Sequence, residues 1–357
     1  MAAAVLFFSA FLCLSVSAIT GLRYGLLIAI GLGFGAILEG LRFGFAGPWR
    51  AMILRRDPAG IWAQLLAIGI VALFALPLID SHSGEVNAAK APIGYAMVLG
   101  AFVFGAAMQI VLGCGSGTLV NAGSGNIVSL IALPFFALGS FAGAFNLSWW
   151  TGLGALPAQN LSGWEGTLVT LLTLSCVAAF LWWKAEPQLR RLPKKLILAA
   201  LLLAILALFN LIVSGQPWGV VYGLGLWVAK GAYYSCIDLS GSVFWTATGS
   251  VERIQASVLT DYTSLTNIGL IAGAFLVAFW RNSLSQPVPK LALSGWVYAA
   301  VAGFLMGYAA RLAFGCNVGA FFSGISTGSL HGWVWFAVAF MGSYLGIYLR
   351  PRLGLEV

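Results

Sequence analysis

Gly105-Ala106-Ala107-Met108-Gln109-Ile110-Val111-Leu112-Gly113-Cys114-Gly115 and Gly307-Tyr308-Ala309-Ala310-Arg311-Leu312-Ala313-Phe314-Gly315-Cys316-Asn317 are two copies of one pattern. The leading glycines and the Gly-Cys pairs are displaced by the same 202 residues (307 − 105 and 316 − 114). In each copy an apolar run stops at Gly-Cys and a small-residue loop follows. Breaking two helices at matching places in two halves is how a membrane-embedded chain makes a site near the midplane. Two halves, each giving one thiol, are therefore expected to meet there.

Composition agrees with lipid as the solvent. Of 357 residues 61% are hydrophobic and 8% charged, where a soluble domain carries about 25% charged residues. The 45 glycines suit close helix packing and the 14 tryptophans suit membrane interfaces. A net charge of +8 reflects basic loops rather than affinity for nucleic acid. The cysteines Cys13, Cys114, Cys176, Cys236 and Cys316 have no zinc-type spacing, and the histidines are only His82 and His331. Neither a metal nor any other cofactor is expected. No phosphate-binding G-x-x-x-x-G-K-[ST] stretch occurs. The apolar first 20 residues lack a basic leader and run into another apolar stretch, so an uncleaved first span is expected rather than a signal peptide.

Full or near-full spans, each of about 20 residues, are expected over 3–20, 22–41, 60–79, 92–112, 126–147, 166–184, 195–213, 217–236, 256–280, 294–314 and 330–349. The stretches 43–54, 114–125, 238–250 and 316–329 are too apolar for ordinary loops and read as re-entrant segments with short half-helices. The fold class is an all-α polytopic membrane protein, one transmembrane domain over 1–357. Repeat 1 covers about 22–147, linker spans fall in 148–216, and repeat 2 covers about 217–349. Gly33-Phe34-Gly35-Ala36 before Gly44 matches Gly225-Leu226-Trp227-Val228 before Cys236 at an offset of 192. The number of spans from the start of repeat 1 to the start of repeat 2 is even, which favours parallel repeats. Lys184, Arg190, Arg191, Lys194 and Lys195 mark the cytoplasmic side, and Arg50, Arg55 and Arg56 agree. The same count sends Arg350 and Arg352 outside, a conflict with the positive-inside rule.

Cys114 and Cys316 stand apart from Cys13 and Cys176, which read as packing residues. Each follows a glycine, Gly113 or Gly315, where a half-helix begins, and such N-termini favour anions. Arg311 and Lys230 are intramembrane cations that must face a cavity or a partner. Attraction of an anion is one reading; pairing with Glu39 or Asp238, or snorkelling to the interface, is the other. Gln109 is the repeat counterpart of Arg311. Asn317, Asn121, Asn126, Ser116, Thr118 and Ser323 around the Gly-Cys loops can either bond a polar ligand or cap the half-helices.

The runs Ala310-Arg311-Leu312-Ala313-Phe314-Gly315-Cys316-Asn317, Ala320-Phe321-Phe322-Ser323-Gly324-Ile325 and Ser329-Leu330-His331-Gly332-Trp333 closely resemble the YeeE/YedE sulfur-transport family. Leu112-Gly113-Cys114 and Leu41-Arg42-Phe43-Gly44-Phe45-Ala46-Gly47 resemble its other signature loops. The resemblance implies a multi-pass inner (plasma) membrane transporter, not an enzyme, that takes up thiosulfate. It implies an hourglass whose half-helices pinch a central pore, with the ion passed along cysteine thiols. Carried over by position, Cys114 and Cys316 are two of those cysteines. The family's third falls at Gly44, whose repeat counterpart is Cys236: either Cys236 supplies the third thiol from the other half, or this branch has another substrate or relay. That departure keeps two alternatives open: a transporter of a selenium compound or another small anion, or a membrane sulfur-transfer enzyme with a cysteine persulfide. A small cytosolic sulfur-carrier protein is an implied partner. Because a thiolate would repel a dianion, burial is expected to keep both thiols protonated near neutral pH.

Overall fold

The computed structural model of the chain describes residues 2–284 and 288–355. Its helices are α1 (Ala2–Thr20), α2 (Leu22–Gly40), α3 (Ala46–Arg55), α4 (Ala59–Ser81), α5 (Tyr95–Val111), α6 (Gly115–Gly123), α7 (Ile127–Phe145) and α8 (Leu147–Thr151). Then come α9 (Gly163–Lys184), α10 (Lys194–Ser214), α11 (Val221–Tyr234), α12 (Val243–Thr246), α13 (Thr248–Gln255), α14 (Tyr262–Trp280) and α15 (Leu293–Leu312). A π-helical turn (Asn317–Phe322) leads into α16 (Ser323–Ser326), and α17 (His331–Arg352) ends the chain's helices. A two-residue strand β1 (Ile93–Gly94) pairs antiparallel with β2 (Ala155–Leu156). Among the described residues ten helical stretches are long and apolar enough to cross a membrane. The chain is an all-α polytopic membrane protein. Short helices α3, α6, α12 with α13, and the π-turn with α16 occupy the four stretches too apolar for loops.

The stretch 217–236 departs from the expected span. Its helix, α11, has 14 residues, about 21 Å at 1.5 Å per residue, against a core of about 30 Å. The segment Gln216–Val220 ahead of it is irregular and runs into the protein interior, where the Trp218 ring stacks on Phe34 at 4.0 Å and the Ser323 hydroxyl donates to the Trp218 carbonyl at 2.7 Å. Pro217 and Gly219 are poor helix formers, and the carbonyls of Trp218 and Val220 accept from Ser323 and Asn267, as irregular chain at membrane depth requires.

This change reverses the expected parity. Asp80 at the end of α4 lies against Gly163 at the start of α9, Glu85 lies against Gly215 after α10, and Arg23 at the start of α2 donates to the Val213 and Ser214 carbonyls. Those ends share one face. The opposite ends share the other: the Glu186 N–H donates to the Arg56 carbonyl, and Arg281 after α14 donates to the Glu39 and Gly40 carbonyls. The end of α5 and the end of α17 fall on this second face, since Arg350 bonds the Ile110 carbonyl and Arg42 and Leu112 line one cavity. Leu291, before α15, joins Val111 and Arg350 around a neighbouring cavity. So α5 ends where α15 begins, and the two helices that carry the Gly-Cys motifs run in opposite directions. Arg350 and Arg352 rejoin Arg55, Arg56, Lys184 and Lys194 on one basic face, which removes the conflict left by the even span count.

Close packing needs the glycines. The α7–α15 pair interlocks through Gly139, Gly143, Gly303 and Gly307, and the α5–α17 pair through Gly105, Gly342 and Gly346. A Cβ on Gly307 would lie 2.0 Å from the Phe136 carbonyl oxygen, and one on Gly105 would lie 2.0 Å from that of Ala339. Without a hydrophobic drive between helices in lipid, such backbone approach is what holds them together. Gly307→Ala is expected to cost about 1–3 kcal/mol by overpacking, seen as a lowered melting transition of the detergent-purified protein; an unchanged transition would show that α7 and α15 separate freely.

Candidate functional site

The backbone enters both thiol positions in the same way. Leu112 and Phe314, which follow the ends of α5 and α15, both hold the left-handed conformation (φ 58° and 56°). The next N–H reaches five residues back, Gly113 to the Met108 carbonyl at 3.1 Å and Gly315 to the Ala310 carbonyl at 2.8 Å. Then Cys114 (φ −80°, ψ −169°) and Cys316 (φ −94°, ψ −167°) are extended, and their carbonyls accept from Thr118 and Ala320 at 2.8 Å each. Glycine is required at 315, since a Cβ there would lie 2.5 Å from the Ala320 nitrogen.

The two thiols converge. Both are buried, and neither is in a disulfide. Cys114 caps α6: its Sγ accepts the Gly117 N–H at 3.4 Å and lies 3.5 Å from the Ser116 hydroxyl. Cys316 packs its Sγ on the first residue of that helix, so a Cβ built on Gly115 would lie 2.7 Å from it. Each thiol also lines its own cavity. Cys114, Gly113, Ser116, Asn121, Gly44, Glu39 and Arg42 surround about 170 Å³ toward the basic face. Cys316, Gly315, Arg311, Tyr222, Phe244 and Lys90 surround about 310 Å³ toward the other. The structure is two cavities with a thiol at the inner end of each and the Gly115–Cys316 contact between them.

The polar groups divide by role. The Arg311 Nε is enclosed with no hydrogen-bond partner, and its guanidinium lies 4.6 Å from the Phe244 ring centre and 5.6 Å from that of Tyr222. Both amide atoms of Asn317, beside Cys316, are buried and unpartnered. Gln109 donates to the Ala46 carbonyl at 3.1 Å and leaves its own oxygen free. Thr118 and Asn126 act in local capping, with Thr118 donating to the Cys114 carbonyl and Asn126 accepting from the Ser129 N–H. Glu39 pairs with Arg42 at 3.3 Å rather than with Arg311. Lys230 is a clamp on the end of α13, donating to the Arg253, Ile254 and Ala256 carbonyls. It lines neither thiol cavity.

Cys236 is not brought to the centre. It is exposed and lines neither cavity. Its φ of 58° matches Arg42 (φ 56°), Leu112 and Phe314, and the next N–H, of Ile237, again reaches five back to Ala232 at 2.9 Å. The residue that shares the place of Cys114 and Cys316 is therefore two further on: Asp238 in this loop and Gly44 in the first. The backbone offset between these loops is 194 (238 − 44), not the 192 read from the glycine pattern, so Cys236 is the counterpart of Arg42. A Cβ added to Gly44 would meet nothing within 4 Å, and Gln64 holds the Gly44 carbonyl at 2.8 Å. Sequence reasoning missed Tyr222 and Phe244, which carried no motif, and the Glu39–Arg42 pair, whose spacing of three was the available signal.

Intramembrane helix breaks and a half-buried Arg311 with an enclosed, unpartnered Nε suit a membrane transporter better than a scaffold. The description of the Sulphur transport family matches residues 41–345, and the chain belongs to that family. It is similar to the thiosulfate transporter TsuA of Spirochaeta thermophila, 26% identical over 334 residues that cover 86% of this chain and 93% of that one. It is also similar to the TsuA of Escherichia coli, 23% identical over 92% of this chain and 95% of the other. A shorter match, 33% identical over 96 residues, 27% of this chain and 24% of the relative, is to the probable transporter YedE of Escherichia coli. The family and these relatives are transporters, not enzymes.

Proposed function

We propose that this chain takes up thiosulfate across the inner membrane along a path through the two cavities. The observation that carries the reading is the Cys316 thiol seated on Gly115, beside Cys114, where the cavities approach each other. Thiosulfate is a dianion with a soft terminal sulfur. Neutral thiols donate weakly to such a sulfur, holding it without trapping it, and conduction needs sites that bind and release. The N-terminus of α6 adds partial positive charge without a fixed ion. Re-entrant half-helices from the two repeats would give the path an hourglass form.

The positive-inside rule sets direction. The basic face carries Arg55, Arg56, Lys184, Arg190, Arg191, Lys194, Lys195, Arg350 and Arg352 and is taken as cytoplasmic. Thiosulfate then enters the Cys316 cavity past Arg311, crosses at the thiols and leaves through the Cys114 cavity past Gly44 and Arg42. Moving a dianion into a negative interior costs about 4.6 kcal/mol per 100 mV. A cytosolic sulfur-carrier protein that consumes the ion at the basic face would draw it inward.

Uptake of labelled thiosulfate by cells lacking other routes tests the reading. Uptake that unlabelled thiosulfate suppresses supports it. Suppression by selenite or sulfate alone would move the assignment to another anion. Gly44→Cys gives a second test, because the space for a side chain is open. The variant is expected to fold normally and to react with a membrane-impermeant thiol reagent only in inverted vesicles, with thiosulfate slowing the reaction. Labelling from the other side would overturn the assigned direction.

A further inference from the structure

A second groove lies on the outside of the helix bundle, away from the thiols. Helices α4 and α9 are pinned by the Trp62 indole N–H, which donates to the Ala178 carbonyl at 3.1 Å. Between them runs an apolar groove of about 550 Å³, with Leu66, Gly69, Leu73, Leu171 and Trp182 in its walls and Leu192 at its end. On α4 it runs from Trp62 to Leu73, twelve residues and about 16 Å of helix, which is about half of the 30 Å hydrocarbon core. The groove is therefore one leaflet deep and opens at the basic face.

That opening is charged. Arg190 lies 4.3 Å over the ring of Trp182, a wall residue, and its Nε is enclosed without a hydrogen-bond partner. Arg191 follows it in the same connection, with Lys184 at the end of α9 on one side and Lys194 and Lys195 at the start of α10 on the other. Among the described residues no carboxylate forms an ion pair with any of them. Basic pockets between spans on the cytoplasmic side recognise anionic headgroups, each cation near the surface favouring them about fivefold.

We infer that this groove is a binding site for an anionic phospholipid, with one acyl chain along α4 and α9 and the phosphate on Arg190. Only the leaflet on the basic face supplies both parts. The groove shares no lining residue with either thiol cavity, so the inference stands whether or not the transported ion is thiosulfate.

The test uses the full-length protein equilibrated with vesicles of equal phosphatidylglycerol and phosphatidylethanolamine, followed by native mass spectrometry. Wild type is expected to retain phosphatidylglycerol about fivefold or more over phosphatidylethanolamine. Arg190→Gln should equalise the two, and Arg190→Lys should keep most of the preference. Gly69→Leu should lower retention of both lipids, since a Cβ there meets only Leu171 and Leu174 methyls at 3.4 and 3.6 Å and a longer side chain fills the groove. Equal retention by wild type, an unchanged preference in Arg190→Gln, or a second copy of the chain occupying the groove as a dimer would each overturn the inference.

Discussion

Cys316→Ala is expected to reduce thiosulfate uptake by about 10- to 100-fold at matched membrane levels. The estimate follows from losing one hydrogen bond to a charged ligand, worth about 1.5–3 kcal/mol. Cys114→Ala should fall in the same range, because the two backbones present their thiols in one conformation from opposite directions. Neither change should harm folding much, since each removes only a sulfur from a spot already bordering a cavity. Cys236→Ala is the internal control: exposed and outside both cavities, it should leave uptake within about twofold, as surface substitutions usually do. A large loss with Cys236→Ala, or full uptake with Cys316→Ala, would remove the thiol path as an explanation. Gly115→Ala offers a steric version of the same test, because its Cβ would press within 2.7 Å of the Cys316 sulfur without deleting either thiol.

The outline of this fold was legible because lipid as a solvent imposes long apolar runs, and those runs can be counted. What failed was the one stretch where apolar character and helix part company. Pro217-Trp218-Gly219 heads an apolar run long enough for a span, yet its proline lacks an N–H and its glycine is a weak helix former, and the chain there stays irregular until Val221. Reading through them lengthened α11 into a span, turned the second half over and sent Arg350 and Arg352 to the wrong side. The thiol pair was legible from repetition alone, since Gly-Cys recurs at a fixed offset. Its third member was not. Cys236 looked like the partner of Gly44 because the glycine pattern aligns at 192, whereas the left-handed residues that set the register, Arg42 and Cys236, have no signature in sequence. Lys230 and Arg311 show the same limit. Both are intramembrane cations beside a cysteine, and only the fold shows that one is spent on the carbonyls of α13 while the other stands open between two rings.

That contrast makes Arg311→Gln the more demanding of the two large tests. A guanidinium in this position has lost much of its water and gains only the faces of Phe244 and Tyr222 in return, a cation–π contribution of about 2 kcal/mol for a desolvated pair. No carboxylate compensates it among the described residues. An arriving anion therefore completes a site that already holds its charge in place, and the interaction is charge-assisted. Removing it should raise the half-saturating thiosulfate concentration about 10- to 100-fold while changing the maximal rate far less, because the thiols beyond it are untouched. Arg311→Lys should fall between, as a point charge replaces a planar fork. Glutamine is a fair substitute for the helix, since Gln109 holds the same place in the other motif and packs there on the Ala46 carbonyl. If half-saturation is unchanged while the protein still purifies as a monodisperse species, Arg311 serves packing alone, and capture of the ion must begin deeper, at Asn317 and the Cys316 thiol.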